Sequence, residues 1–415
     1  MTEKKTKSQP VKSSEKALRF FGTFVTLSLI TTFIKETGDS TVKAEEKRHK
    51  PLKQQNKIKI FRYICQHPEA TKQSLTYHLN MSMPTVLQNI KELAEAGLVE
   101  EQGVLASTGG RRAKTISVVR DARYALGADI TANHISLVLL DLSGSITAQT
   151  RIAKPYADET EYYQFFGTLV SSFIADHQVP AEKLLGIGVS LPGNIDVDHD
   201  LITQSHVLHV YQINLQKFRQ FLPCDAIFCN DANAAGLAEL NHIEDTAVLL
   251  SLGYTVGGAI FVHRQLYFGE LYKGGEFGHM ILIPDGKTCY CGKNGCVDAY
   301  CSSKVLSDLA EGSLPLFFER LEQQEEACTE AWDAYLRYLA IAVTNLRSAF
   351  DCPIILGGDV GGYLESYLPR LKRLAARYNT FDPNSDYLSL CHSPKESFAL
   401  GAGLQFIEAF YDTVI

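Results

Sequence analysis

The sequence predicts an α/β protein of two or three domains, in which a small helical unit precedes a larger body. Its 415 residues are too many for one hydrophobic core, which stops growing at about 250–300 residues. From about Tyr124 onward, apolar β-rich runs at 135–142, 184–191, 246–253 and 353–358 alternate with helical stretches, the pattern of an α/β architecture. Residues 52–119 read instead as short helices followed by a hairpin. Similar strand-plus-glycine runs at 126–142 and 247–262 point to a duplicated lobe, and no short-period repeat accompanies them.

The apolar share of 45% and charged share of 21% belong to a soluble globular chain. The net charge of -7 is uneven. Residues 1–50 hold 11 Lys+Arg against 6 Asp+Glu, residues 51–120 hold 10 against 5, and the remainder holds 19 against 36. A basic front on an acidic body fits a front that meets a polyanion. The apolar run 20–34 is shorter than the roughly 18–20 residues that span a bilayer, and four Thr dilute it. It reads either as a signal-like or anchoring segment or as an N-terminal extension, and no membrane partner is expected. The polar, charged stretch 35–51 reads as a linker.

The segment 57–67 places Ile58, Phe61, Ile64 and Cys65 at helical spacing, and Pro68 stops it. Thr71 caps a second helix over 72–79. Asn80-Met81-Ser82 makes a turn, and Ser82 caps a third helix with Pro84 in its first turn. That helix runs to Ala96, and Gly97 ends it. Its apolar face is Val86, Ile90, Leu93 and Ala94, which leaves Ser82, Thr85, Gln88, Asn89 and Lys91 for DNA. Amides such as Gln88 and Asn89 suit adenine edges, and Lys91 suits phosphate. In Ser-Thr-Gly-Gly-Arg-Arg (107–112), two glycines let a hairpin bend and project Arg111 and Arg112 toward a minor groove or phosphates. The other reading is a plain three-helix bundle with a solvated basic turn.

Four of the ten cysteines fall between Cys289 and Cys301. In a reducing cytoplasm such a cluster reads as metal ligation before disulfides. His279, Cys289, Cys291 and Cys296 complete a closed tetrahedral shell, the composition of a structural zinc site. Cys301 reads as a core residue. The alternative is a set of buried free thiols.

Gly275-Glu276-Phe277-Gly278-His279, followed by this Cys-x-Cys-Gly-x-x-Gly-Cys knuckle, resembles the ROK family of repressors, open reading frames and kinases. The likeness covers about 52–415. The family's repressor branch, which includes xylose repressors, carries a winged helix-turn-helix with a Thr-Gly-Gly-Arg-Arg wing, and this chain has both. The resemblance implies an extension and linker at 1–51 and a winged helix-turn-helix at 52–120. At 121–415 it implies a two-lobed, actin-like, sugar-kinase-like body with sugar in the cleft. It implies sugar contacts from Asn230 and Asp231, the latter the kinase general base, from Glu276 and His279, and from the loop Ser190-Leu191-Pro192-Gly193. Asp298 stands where the family usually has a sugar-bonding Glu. A second reading makes Asn230-Asp231 the N-cap of the following helix.

Phosphate binding needs backbone that approaches closely, hence glycine. The family's Asp-Ile-Gly-Gly-Thr-Lys is here Asp129-Ile130-Thr131-Ala132-Asn133-His134. Its Gly-Thr-Gly-x-Gly-Gly-Gly is Gly253-Tyr254-Thr255-Val256-Gly257-Gly258-Ala259, while Leu356-Gly357-Gly358 survives. The sequence therefore reads as a cytoplasmic, sugar-responsive repressor of operator DNA, not an enzyme, acting as a homodimer or higher homo-oligomer. An active kinase with a DNA-binding arm is the alternative, and a repressor answering to a protein partner is a third.

Overall fold

The computed structural model describes residues 52–102, 114–270, 272–392 and 397–414. Helices α1 (Leu52–Gln66), α2 (Lys72–His78) and α3 (Met83–Glu95) come first. α1 begins ahead of the stretch read from the sequence, because Leu, Lys and Gln are good helix formers. Thr71 and Ser74 cap α2 reciprocally, with backbone-to-side-chain bonds of 2.9 and 3.1 Å. Ser82 Oγ accepts from Thr85 N at the start of α3, and Gly97 follows the helix at φ 69°. Strands β1 (Val99–Gln102) and β2 (Thr115–Val118) pair antiparallel, Val99 opposite Val118. The wing tip carrying Arg111 and Arg112 lies outside the described residues, as does the run 20–34.

Two five-stranded sheets built to one plan follow. The first contains β3 (Tyr124–Ile130), β4 (His134–Asp141) and β5 (Ile146–Ala153), then α4 (Thr160–Asp176) and β6 (Leu184–Leu191). A three-stranded flap, β7 (Asn194–Asp196), β8 (Leu201–Ser205) and β9 (Val210–Asn214), precedes β10 (Ala226–Asn230) and α5 (Asp231–Ala238). The second contains β11 (Ala247–Leu252), β12 (Val256–Val262), β13 (Gln265–Leu266), α6 (Glu326–Phe350), β14 (Ile354–Gly357), α7 (Leu368–Tyr378) and β15 (Leu388–Leu390). The strand orders are β10-β6-β3-β4-β5 and β13-β12-β11-β14-β15. Each sheet opens with an antiparallel hairpin and adds parallel strands on its other side. The hairpins β3–β4 and β11–β12 are the two similar runs seen in the sequence. No helix among the described residues is long and apolar enough to cross a membrane.

The last helix, α8 (Ser397–Val414), ties the parts together. It lies so close to its neighbours that a Cβ at Gly401 would meet the Ala234 carbonyl of α5 at 1.6 Å, so only glycine permits the contact. Its far half packs against α1. Leu400, Leu404, Ile407, Phe410 and Tyr411 share one buried cluster with Ile60, Phe61, Ile64 and Leu75 of the helical unit. Phe61 and Tyr411 meet edge to face with ring centroids 5.0 Å apart, and Tyr411 Oη donates to Leu142 O at 2.6 Å. Arg62 pairs with Glu408, both side chains at most one quarter exposed.

Candidate functional site

Helix α3 buries Val86, Ile90 and Leu93 and presents Ser82, Gln88 and Lys91 outward. Two expectations need correction. Asn89 is 2% exposed, and its Nδ2 donates to Thr85 O at 2.7 Å, so it is not free to meet DNA. Ala94 is exposed: with 3.6 residues per turn, position 89 rather than 94 falls on the stripe facing α1. Gln88 is held toward Glu92 at 2.9 Å, and Glu92 also pairs with Lys53 and Lys57 of α1 at 2.6 and 2.7 Å. Lys91 stands 3.7 Å from Glu95, an exposed pair contributing only about 0.3–0.5 kcal/mol and easily exchanged for phosphate. Tyr77, Met83 and Leu87 are exposed near the start of α3. Sequence reasoning passed over these apolar side chains, which suit thymine methyl groups.

The cleft is built where the sheets end. In the first sheet a row of residues lies in register across the strands: Arg151, Ser136, Asp129, Ser190 and Cys229. Ser190 and Pro192 are buried, and Gly193 is half-buried. Asn230 caps α5, its Oδ1 accepting from Ala232 N at 2.9 Å and Asn233 N at 3.3 Å. Its Nδ2 donates to Gly193 O at 3.0 Å. With amide oxygen and nitrogen both engaged, Asn230 fixes the Gly193 turn and the origin of α5. Asp231, the next residue, retains one carboxylate oxygen beyond its 2.9 Å bond from Ala232 N.

From the second lobe, Gly275 lies against β12, where a Cβ would come within 2.4 Å of Gly258 O, and Phe277 is buried beside it. That anchoring leaves Glu276 and His279 projecting, Glu276 Oε2 3.9 Å from His279 Nε2. Asp298 is 5% exposed, and its Oδ2 accepts from Val256 N at 2.6 Å. That bond holds the start of β12 and engages one of the two Asp298 carboxylate oxygens.

Burial dominates the electrostatics. It pushes Asp129 up to about 7, helped by the charge of Asp231 and opposed by Ser190 and Arg151. The Ser190 hydroxyl is too poorly aligned for a full hydrogen bond but lies close enough to offset part of the rise. Burial likewise takes Asp231 up to about 6, with the Ala232 N–H opposing and Glu276 adding. Asp298 rises to about 6 by burial, opposed by the Val256 N–H. Asp359 of the second lobe is raised by burial and held back by Ser303 and Arg151. Arg151 and Asp359 were absent from the expected site, and Asp129 entered only as the first residue of the altered phosphate loop. The signal was a carboxylate near the end of the apolar strand LGADI, but its partners emerge only from strand register.

His279, Cys289, Cys291 and Cys296 converge, their ligand atoms all within 4.8 Å of one another. Cys291 and Cys296 sulfurs are 3.8 Å apart, and Cys289 Sγ is 3.9 Å from His279 Nδ1. A tetrahedral ion with bonds of about 2.3 Å to sulfur has edges of about 3.8 Å, so the four residues fit a metal ion. Burial pushes the Cys289 thiol up to about 12, which a divalent cation would reverse. Cys301 is fully buried in the second lobe's core.

The sequence pattern of the ROK family matches residues 125–404. The chain belongs to the ROK family. A winged helix-turn-helix DNA-binding pattern matches residues 53–100. The Bacillus subtilis xylose repressor is 26% identical over 313 residues, covering 72% of this chain and 80% of that protein. The Escherichia coli dual regulator NagC is 26% identical over 274 residues, covering 63% and 67%. Among solved structures, a ROK family transcriptional regulator described as a homologue of the E. coli MLC protein shares the fold with a TM-score of 0.68 at 20% identity, over 87% of this chain and 97% of that one. A Streptomyces griseus ROK glucokinase gives 0.56 at 22% identity, over 68% and 98%.

Against the phosphate loops of ROK kinases, the β3–β4 turn of this ROK protein is closed on itself. Thr131 Oγ1 accepts from Asn133 N at 3.4 Å and from His134 N at 3.0 Å, and Thr131 N donates to His134 O at 2.9 Å. The amides of Thr131, Asn133 and His134 are thereby paired within the turn. On the second lobe Tyr254 stands 59% exposed in the β11–β12 turn. Gly358, at φ 75°, keeps its glycine because a Cβ would meet Leu252 N at 2.5 Å.

Proposed function

We propose that this protein is a sugar-responsive, operator-binding transcriptional repressor whose kinase-like body senses sugar without nucleotide. The observation that carries this reading is α8, one helix in contact with both the ligand helix and the reading head. Its Gly401 sits on α5, which begins at Asp231, and its Phe410 and Tyr411 lie in the same cluster as α1. A shift of α5 on sugar binding therefore has a packed route to the DNA-binding unit, the kind of two-state element that population shift requires. The repressor names of the xylose and N-acetylglucosamine relatives support the class.

In this reading Asp231, Glu276 and His279 bond sugar hydroxyls, with Asn230, Gly193 and Asp298 holding the frame. Carboxylates and imidazole suit the paired donors and acceptors of a polyol. Ser82, Thr85, Gln88, Lys91, Arg111 and Arg112 meet DNA. A structural zinc held by His279, Cys289, Cys291 and Cys296 supplies rigidity to the turn bearing Glu276 and His279. Two reading heads span half-sites about 34–36 Å apart, so the working form is a homodimer.

Gel-shift titration against D-xylose, D-glucose and N-acetyl-D-glucosamine tests the reading. One of them shifts operator affinity at least tenfold, and no shift with any sugar contradicts it. The kinase alternative rests on the retained Asp231. Positioning and charge stabilisation of phosphates lower the barrier in phosphoryl transfer, and the closed Thr131 turn opposes both. Sugar-dependent ADP release in a coupled assay would favour the enzyme.

A further inference from the structure

Tyr290 lies between two metal-ligand cysteines, and the function described above leaves it without a role. Because Cys289 and Cys291 both turn inward, the side chain between them projects outward, and Tyr290 is 45% exposed. Its hydroxyl is 3.2 Å from His279 Nε2, and its ring meets the His279 ring at 5.3 Å. From the opposite lobe, His206 of the flap brings its ring to 5.1 Å from Tyr290, at 63°. The flap is anchored beside the same site. Ser205 packs on Gly193, whose carbonyl is held by Asn230. A second bridge between flap and second lobe runs from Tyr272 Oη, which donates to Asp198 Oδ2 at 2.7 Å. Asn230, Gly193, His206, Tyr290, His279 and Glu276 thus ring one space.

Hydrogen-bond chemistry fixes what Tyr290 does there. With Nδ1 facing Cys289 Sγ at 3.9 Å, a metal on Nδ1 would leave the ring proton on Nε2. In that tautomer the N–H donates to the phenolic oxygen. It is the same donor that a ligand hydroxyl must receive. The ring face beside it is apolar and rigid, a platform for the C–H face of a saturated ring.

We propose that Tyr290 is a ligand-selecting residue of the cleft: its hydroxyl holds the His279 Nε2 position until a sugar hydroxyl takes it, while its ring, with His206, stacks against the sugar. The proposal rests on the cleft being a sugar site. An uncharged cyclic polyol is the ligand class, since it supplies both a hydroxyl acceptor and an apolar face.

Calorimetric titration of the full chain with D-xylose, D-glucose and N-acetyl-D-glucosamine tests it, using Tyr290→Phe and Tyr290→Ala with bound metal quantified in parallel. Tyr290→Phe removes the competing acceptor and keeps the ring, so the Kd of whichever sugar binds the wild type falls roughly three- to tenfold. Tyr290→Ala also removes the platform and binds at least tenfold more weakly than Tyr290→Phe. If Tyr290→Ala loses its metal, His206→Ala, on the flap and outside the metal-ligand quartet, carries this arm and weakens binding. An unchanged or raised Kd in metal-replete Tyr290→Phe overturns the proposal while leaving the sugar site standing. Wild-type protein that binds none of the three sugars overturns both.

Discussion

The two ends of the cleft have been treated differently. At one end Asp231, Glu276 and His279 converge, backed by a four-residue metal quartet and by Asn230 clamping Gly193. At the other, the turn aligned with a kinase phosphate loop is stapled by the Thr131 side chain, and burial raises both Asp129 and Asp359, each opposed by Arg151. Recognition of a polyol needs side-chain donors and acceptors, whereas transfer of a phosphoryl group needs open backbone amides. The difference teaches that side-chain groups and open backbone amides can be varied separately on one fold. Under the proposed reading, binding energy then serves a conformational shift rather than chemistry.

The largest effect expected at the ligand end is loss of sugar binding in Asp231→Ala. A half-buried carboxylate accepting two hydroxyl bonds contributes about 1.5–3 kcal/mol for each, so calorimetry should register at least a hundredfold rise in Kd. Retained binding would move the site elsewhere. Next in size is metal removal. Cys291→Ser, or prolonged chelation, should lower the thermal midpoint by about 5–10 °C and abolish the sugar response together. An unchanged midpoint would mean that the quartet holds no metal.

Asp129→Asn sharpens the contrast from the phosphate end. The folded-state value of about 7 lies above the ordinary 3.8, so the native protein holds an extra proton between about pH 4 and pH 7. Stability therefore falls as pH rises through that window, and the loss is complete above it. The amide removes that loss. Asp129→Asn should be more stable than the wild type by roughly 1–3 kcal/mol at pH 8 and no more stable at pH 4, by denaturant titration, with sugar binding retained. Loss of sugar binding in this variant would show that the two ends are not separable.

The smallest effect belongs to the coupling surface. Arg62→Ala removes the partly buried pair with Glu408 and its packing over Tyr411. Stability should drop by about 1–2 kcal/mol, and sugar Kd should stay within twofold. The sugar-induced change in operator affinity should shrink several-fold. An undiminished response would remove α8 from the pathway.

Local chemistry was legible in the sequence. The caps at Thr71 and Ser82, the Gly97 stop and the His279-Cys289-Cys291-Cys296 quartet depend on residues close along the chain. Asn230-Asp231 was legible as a helix cap, and it marks the origin of α5. Features set by packing between distant segments were not legible. The inward turn of Asn89 depends on how α3 rolls against α1. The row Arg151-Ser136-Asp129-Ser190 depends on strand register, and Arg62 meets Glu408 across nearly the whole chain. Asp298 read as a ligand contact because the resemblance places a sugar-bonding Glu there, and its bond to the Val256 amide was not visible in the sequence.

Fluorescence anisotropy on an operator duplex selected from random sequence by the protein itself tests the central claim most directly, with sugar added and nucleotide withheld. The account predicts a sugar-dependent change in operator Kd of at least tenfold in the wild type and none in Asp231→Ala. A change that appears only when ATP is supplied, or one that persists in Asp231→Ala, would contradict it.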